Sequence, residues 1–231
     1  HLSIRRQRQM CIRDRRTPLA ALQGYIETLL MKDESFGPEE RRKYLHIAID
    51  HCKRLSKLVG EILELARLDS SGVEVRKELF HPGELVQDVV QKFRLRAEEK
   101  GVAVETDMEK DLPLVYADIG LMERVLENLV ENAVNYTSAG GSVRVSLRSE
   151  GDEILTRVRD TGAGISESER SRIFDRFYSS EKDPGRGRGH SGLGLAITKR
   201  ILELHDRTIE VRSKEGSGTT FSFTLPAHSG P

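Results

Sequence analysis

Three glycine-bearing stretches and one pair of asparagines carry the chemistry this sequence can be read for: "DTGAGI" (Asp160–Ile165), "GRGRGHSGLGLAI" (Gly185–Ile197), "EGSGTTF" (Glu215–Phe221), and Asn128 with Asn132. A lone Gly-X-Gly marks any tight turn and says little. Here one pair directly follows a strand pattern and another opens a helix pattern. The second placement aims unpaired backbone N–H groups at an anion, as phosphate binding requires. Ser191, just before Gly192, is placed to be that helix's N-cap. Asn128 and Asn132 are four apart and share one helix face. Either asparagine alone reads as part of a solvated face. Asparagine is intrinsically unfavourable mid-helix, so the pair needs a reason. Oxygen ligands for Mg²⁺ shared with phosphates supply one.

The elements that must hold these residues follow from hydrophobic periodicity. From Pro18, Leu19, Leu22, Ile26 and Leu29 recur at steps of three and four. "DESFGPEE" (Asp33–Glu40) interrupts, and Leu45, Ile49, Cys52, Leu55, Val59, Ile62 and Ala66 continue the pattern on a second helix. Two amphipathic helices cannot enclose a core alone, so this helical hairpin predicts a homodimer with a four-helix bundle. Ser, Gly and Pro punctuation with a short alternating segment in "LDSSGVEVRKELFHPGEL" marks a change of domain. Beyond it the pattern predicts a helix from Pro82 to Gly101 and a strand in "VAVETDM". A long helix in "DIGLMERVLENLVENAVNYT" and two strands joined at Glu150–Asp152 come next. A helix in "GLGLAITKRILELH" and a final strand pair complete the chain. The fold class expected is a helical hairpin followed by an α/β two-layer sandwich with a mostly antiparallel sheet.

Composition bounds the partners. The 231 residues carry 37 basic and 37 acidic side chains, which argues against a bulk nucleic-acid or membrane-surface binder. No window reaches 18 consecutive apolar residues, and two cysteines are too few for a disulfide framework. The expectation is a reduced, cytoplasmic portion of a protein.

Together the motifs resemble the cytoplasmic core of a two-component sensor histidine kinase. "ENLVENAVNYT" is similar to that family's N box, "DTGAGI" to its G1 box, "IFDRFY" to its F box and "GHSGLGLAI" to its G2 box, in the same order from Phe80 to Pro226. The hairpin is similar to the family's dimerisation and phosphoacceptor domain. The resemblance implies a Bergerat-type ATP-binding fold and ATP and Mg²⁺ as cofactors. It further implies a response-regulator receiver domain as partner and a parent protein anchored in the membrane through an upstream segment. It implies domains at 16–70 and 80–228 with a linker at 71–79.

Residue by residue, the resemblance implies that Asp160 takes the adenine amino group, with Gly162, Gly164 and Ile165 shaping the approach to the base. Thr219 would hold water beside Asp160. Asn132 would ligate Mg²⁺, supported by Asn128, and Tyr136 would pack by the nucleotide. Phe174 and Phe177 would anchor a lid, and Gly192, Leu193, Gly194 and Leu195 would wrap the phosphates. Some positions depart from the pattern. Asn135 stands where Lys or Arg is usual, and Ser179 where Arg is common, with Arg186 and Arg188 as candidate replacement charge. Asp206–Arg207 replaces a frequent Gly-Gly and predicts a strained turn. ATPases of the same fold carry a water-activating Glu one turn before the metal-binding Asn. Here that position is Asn128, which favours transfer to a protein side chain over hydrolysis.

The acceptor is the anomaly. "RRTPLAAL" resembles the end of the family's H box, which places the phosphoacceptor histidine five residues before Pro18, at Arg13. Arginine is never deprotonated in a protein and cannot be the nucleophile. Asp14 falls at the general-base position, Arg15 replaces a hydrophobic residue, and Thr17 fits either a helix N-cap or a role in dephosphorylation. His46 and His51 lack the flanking signature. Arg5 to Asp14, "RRQRQMCIRD", is the translation of the adapter used in transposase-based sequencing libraries. Residues 1–15 therefore read as a non-native segment, with Arg16 the first wholly native residue. Arg5, Arg6, Arg8 and Arg13 against Asp14 contribute +3, leaving −3 for the rest. Two alternatives stand: a nucleotide-binding pseudokinase in which Arg13 is native, and an ATPase.

Overall fold

The computed structural model describes residues 23–24, 26–31, 37–70, 72–178 and 191–228. Two compact units meet between Glu64 and Leu65. In the first, residues 23–24 and 26–31 are helical. Helix α1 (Pro38–Asp69) runs 32 residues. Proline is tolerated in its first turn, and Glu39 and Glu40 there complement the helix dipole, as Arg67 does in the last turn. Leu45, Ile49, Cys52, Val59 and Leu63, three, four or seven apart, all lie exposed along α1. Among the described residues, no helix is long and apolar enough to cross a membrane.

The second unit takes the last turn of α1, where Leu65 and Leu68 are buried. It continues with β1 (Glu78–Phe80), α2 (Pro82–Glu99), β2 (Ala103–Met108), β3 (Leu114–Ala117) and α3 (Ile119–Tyr136). Then come β4 (Ser142–Glu150), β5 (Glu153–Asp160), the short α4 (Glu167–Arg170), α5 (Gly194–Leu204), β6 (Glu210–Ser213) and β7 (Thr219–His228). The strands form one sheet in the order β1-β3-β7-β5-β4-β2, with β6 also on β7. Every pair is antiparallel except β2 with β4, so the sheet is mixed.

Alternation along the strands builds the core. Val143, Val145 and Leu147 of β4, Ile154 and Val158 of β5, and Phe221, Phe223 and Leu225 of β7 are buried. So are Val125, Leu129 and Val134 of α3, Ile197 and Ile201 of α5, and Val86 and Val89 of α2. Each such apolar side chain contributes about 1.5–3 kcal/mol by leaving water. Arginines 144, 157 and 159 stand exposed or half-exposed on the opposite sheet face, as expected where one face is solvated.

One local expectation is corrected, and some elements went unread. Strand β1 lies within the stretch read as the change of domain, and β3 in "LVYA" went unread. Ser191 is not the N-cap of α5: Leu193 is, without a side-chain cap, while Ser191 Oγ accepts from Leu193 N at 3.1 Å. Asn128, read with Asn132 as a polar pair that needs a reason, is buried. The Asp206 turn does adopt a left-handed conformation, φ +59°. Asp206 N–H donates to the Glu203 carbonyl and Arg207 N–H to that of Leu202, closing the end of α5 as a Schellman turn.

Candidate functional site: a nucleotide-binding cleft

Asp160, the last residue of β5, is 5% exposed. Its Oδ1 accepts from Gly162 N at 2.8 Å and from Thr219 N at 3.2 Å. Its Oδ2 has no partner among the described residues and is not sealed off. Burial pushes the carboxyl pKa upward, and the two backbone donors pull it partly back. One oxygen is thus fixed by the fold while the other is left for something else.

Glycines make the floor around it possible. A Cβ on Gly162 would run into the Tyr136 carbonyl at the end of α3, and one on Gly164 (φ +71°) into the Lys214 carbonyl. The 160–165 loop is therefore pressed between α3 and the β6–β7 turn. Gly216 N donates to the Ala163 carbonyl at 2.7 Å, and Ile165 N to Ser213 Oγ at 2.8 Å. Thr219, 6% exposed, stands at the start of β7 beside Asp160.

Helix α3 supplies the second wall. Asp118 caps it by accepting from Leu121 N at 3.0 Å. Asp118 N in turn donates to His205 Nε2 at 3.1 Å, which leaves Nδ1 as the donor to the Ile201 carbonyl. Asn128, Asn132 and Asn135 recur at steps of four and three on one α3 face. Asn128 Nδ2 donates to the Gly194 carbonyl at 3.1 Å and approaches Thr198 Oγ1 at 3.4 Å, fastening α3 to the start of α5. Asn135 Oδ1 accepts from Arg96 Nη2 of α2 at 2.9 Å. Asn132, between them and half-exposed, has no partner among the described residues. Glu127 pairs with Lys92 at 2.8 Å and Glu131 with Arg96 at 3.2 Å, so both carboxylates are engaged by α2.

The third wall begins at α5. Gly192 has φ +69°, and its carbonyl accepts from Phe177 N at 2.9 Å. A Cβ at Gly192 would stand 2.7 Å from the Tyr178 carbonyl. Phe177 itself is held at φ +62°, a costly conformation for an aromatic residue that only firm surroundings maintain. Phe174 packs edge-on against Phe221 with centroids 6.3 Å apart. Leu193 is buried and Leu195 half-buried, so both anchor the start of α5. Arg200 Nε donates to the Leu68 carbonyl at 3.1 Å, and Arg176 pairs with Asp69 at 2.8 Å.

Asp160, Gly162, Gly164, Ile165 and Thr219 thus converge on one floor, Asn128 meets Gly194, and Phe177 meets Gly192. Arg13, Asp14, Thr17, Arg186 and Arg188 lie outside the described residues. Two residues escaped the sequence reading. Ser213 looks like any strand-end serine, and Arg96 like any surface arginine on a helix, because their partners are distant in sequence.

A sheet backed by helices, with glycine loops gathered around a buried acid, defines a nucleotide-binding module of the ATPase type. Residues 117–229 match the family described as histidine kinase-, DNA gyrase B- and HSP90-like ATPase, and residues 14–71 match the His kinase A phospho-acceptor domain. The chain belongs to the histidine kinase family. It is 36% identical over 211 residues to the sensor protein SrrB of Staphylococcus aureus, covering 91% of this chain and 36% of that protein. It thus spans about a third of the length of the curated relatives it matches. The histidine kinase AdeS of Acinetobacter baumannii superposes with a TM-score of 0.74 at 25% identity, covering 93% of this chain and 97% of that one. The full-length histidine kinase ShkA in complex with AMPPNP gives 0.73 at 27% identity, covering 98% and 47%.

Proposed function

We propose that the parent protein is an ATP-dependent protein-histidine kinase that phosphorylates a histidine on its hairpin helix and relays the phosphoryl group to a response-regulator aspartate. The observation that carries the reading is the divided carboxylate of Asp160, one oxygen held by two backbone donors and the other uncommitted. An acceptor in that position suits the amino group of adenine. Gly162 and Gly164 let the loop after Asp160 press against the Tyr136 and Lys214 carbonyls, which fixes the backbone that the base would meet, and Tyr136 stands at the end of α3 beside it. The unpartnered amide of Asn132 fits Mg²⁺, whose hard charge bridges and neutralises phosphate oxygens. Asn128 holds α3 against Gly194, and the N–H groups at the start of α5, without a side-chain cap, suit the phosphates. Arg96, through Asn135, brings positive charge to the position where the family pattern has Lys or Arg.

Transfer rather than hydrolysis is favoured because Glu127 and Glu131 are tied to Lys92 and Arg96, which leaves no carboxylate of α3's last turns to activate water. The exposed apolar stripe of α1 supports homodimerisation through the hairpin. The chain as written, with Arg13 at the acceptor position, binds Mg·ATP but does not autophosphorylate. Residues 16–70 are taken as the incomplete hairpin domain, 71–79 as linker and 80–228 as the ATP-binding domain. Residues 1–15 are taken as adapter-derived, and membrane anchoring belongs to a segment upstream.

Calorimetric titration with Mg·ATP tests the site: Asp160→Asn should weaken binding at least tenfold, and unchanged affinity would sink the reading. Labelled ATP should leave no acid-labile label on the chain, whereas Arg13→His with Arg15→Leu should acquire it. A second reading, a pseudokinase, rests on Arg13 itself. Resequencing the source DNA upstream of the Arg16 codon without a transposase adapter separates them, since a histidine codon there removes the pseudokinase.

A further inference from the structure

The hydroxyl of Ser213, at the end of β6, touches three groups from the two loops that form the floor of the cleft. Its Oγ accepts from Ile165 N at 2.8 Å, donates to the Gly218 carbonyl at 2.9 Å, and lies 3.0 Å from Thr219 Oγ1. A serine hydroxyl has one proton. A carbonyl can only accept, and Gly218's other donor, Lys214 N, is 3.4 Å away. Giving Ser213's proton to Thr219 would leave that carbonyl with only this long contact. The proton therefore belongs to Gly218, and the Ser213–Thr219 contact must be made with the proton of Thr219.

That ordering has a chemical result. With its proton turned toward Ser213, Thr219 offers the cleft only oxygen lone pairs. Asp160 Oδ2, when ionised, is likewise an acceptor. Thr219 is tied to Asp160 through its own N–H, 3.2 Å from Oδ1, so both acceptors belong to one floor, and a ligand edge or bound water that meets them must bring donors. The exocyclic amino group of a 6-aminopurine does so; the carbonyl of a 6-oxopurine does not, and a buried mismatch of this kind is strongly penalised.

We propose that Ser213 is a positioning residue for base selectivity, locking the Thr219 hydroxyl as an acceptor so that the cleft takes 6-aminopurine nucleotides and rejects 6-oxopurine ones. This rests on Asp160 being the base-binding residue. Ser213 touches no nucleotide itself; it acts through Thr219 and through the Ile165 end of the glycine loop.

Calorimetric titration of the full chain with ATP and with ITP, both with Mg²⁺, tests it. Ser213→Ala frees the Thr219 hydroxyl to rotate and donate. ATP should weaken about five- to tenfold while ITP weakens less or tightens, so the ATP/ITP affinity ratio falls severalfold. Thr219→Val, which removes the hydroxyl without changing the shape, should lower the ratio in the same direction. Ser213→Thr, which keeps a hydroxyl, should restore it. Simple loosening of the loops would instead weaken ATP and ITP in parallel; an unchanged ratio in both Ser213→Ala and Thr219→Val overturns the proposal. Asp160→Asn separates the two claims. If it leaves ATP binding intact, the base site itself is misassigned. If it abolishes binding while Ser213→Ala leaves the ratio unchanged, only the role of Ser213 fails.

Discussion

At the scale of single residues, the buried acid of the cleft costs stability. Burial raises the folded-state pKa of Asp160, so the stability linked to this group is fully present below the unfolded pKa and is lost as pH rises through the folded value. Above the unfolded pKa the buried carboxyl therefore costs the folded state stability. Asp160→Asn keeps an Oδ1 for Gly162 and Thr219, so the ligand-free variant should melt above wild type at pH 7.5. Each ~1 kcal/mol recovered should raise Tm by about 2–4 °C, in the same protein that loses ATP affinity. His205 shows the opposite sign. Burial, the largest cause, lowers its pKa, Lys77 adds to the effect, and the Ile201 carbonyl, Asp118 and Asp206 oppose it. Its stabilising contribution is present above the unfolded pKa of about 6.5 and is lost as pH falls through the folded value. Protonating Nε2 would also cost the Asp118 N–H its acceptor at the start of α3. Thermal melts of His205→Gln should lie below wild type at pH 8, and the gap should shrink as the pH falls toward 5.5.

Elements show where the sequence was legible. Helices α2, α3 and α5 and strands β2, β4, β5 and β7 announced themselves because long periodic runs and glycine or proline punctuation are local signals. Strand β3 did not. Its four residues follow a proline and show no alternation long enough to read, and only pairing with β1 and β7 fixes them as a strand. The parallel register of β2 on β4 was hidden for the same reason, since pairing direction is a property of the fold. Asn128 was legible as a polar residue on the asparagine face but not as a buried clasp, because Gly194 lies 66 residues away. The Asp206 turn was read correctly from its departure from Gly-Gly. Aspartate at φ +59° carries strain that glycine would not, so Asp206→Gly should raise stability by up to about 1 kcal/mol in urea unfolding, with ATP affinity unchanged.

For the whole molecule, the decisive surface is the stripe on α1. Ile49 is 49% and Val59 47% exposed in the single chain, and a soluble helix rarely leaves such a row bare unless another copy covers it. Replacing both with glutamate should shift the chain from dimer to monomer by sedimentation or light scattering. Mg·ATP affinity should stay within about twofold of wild type, because neither residue lies in the second unit.

Strand β7 holds the sheet together: β3, β5 and β6 all pair with it, and it starts with Thr219 of the cleft floor. It also follows β3, β5 and β6 in sequence. During synthesis, therefore, β3 and β5 emerge from the ribosome before the strand that pairs with both exists. Until residues 219–228 clear the exit tunnel, β3 and β5 have open edges where β7 belongs. Open strand edges of this kind invite wrong pairing in the nascent chain, and β7 closes them in the same step that brings Thr219 to Asp160.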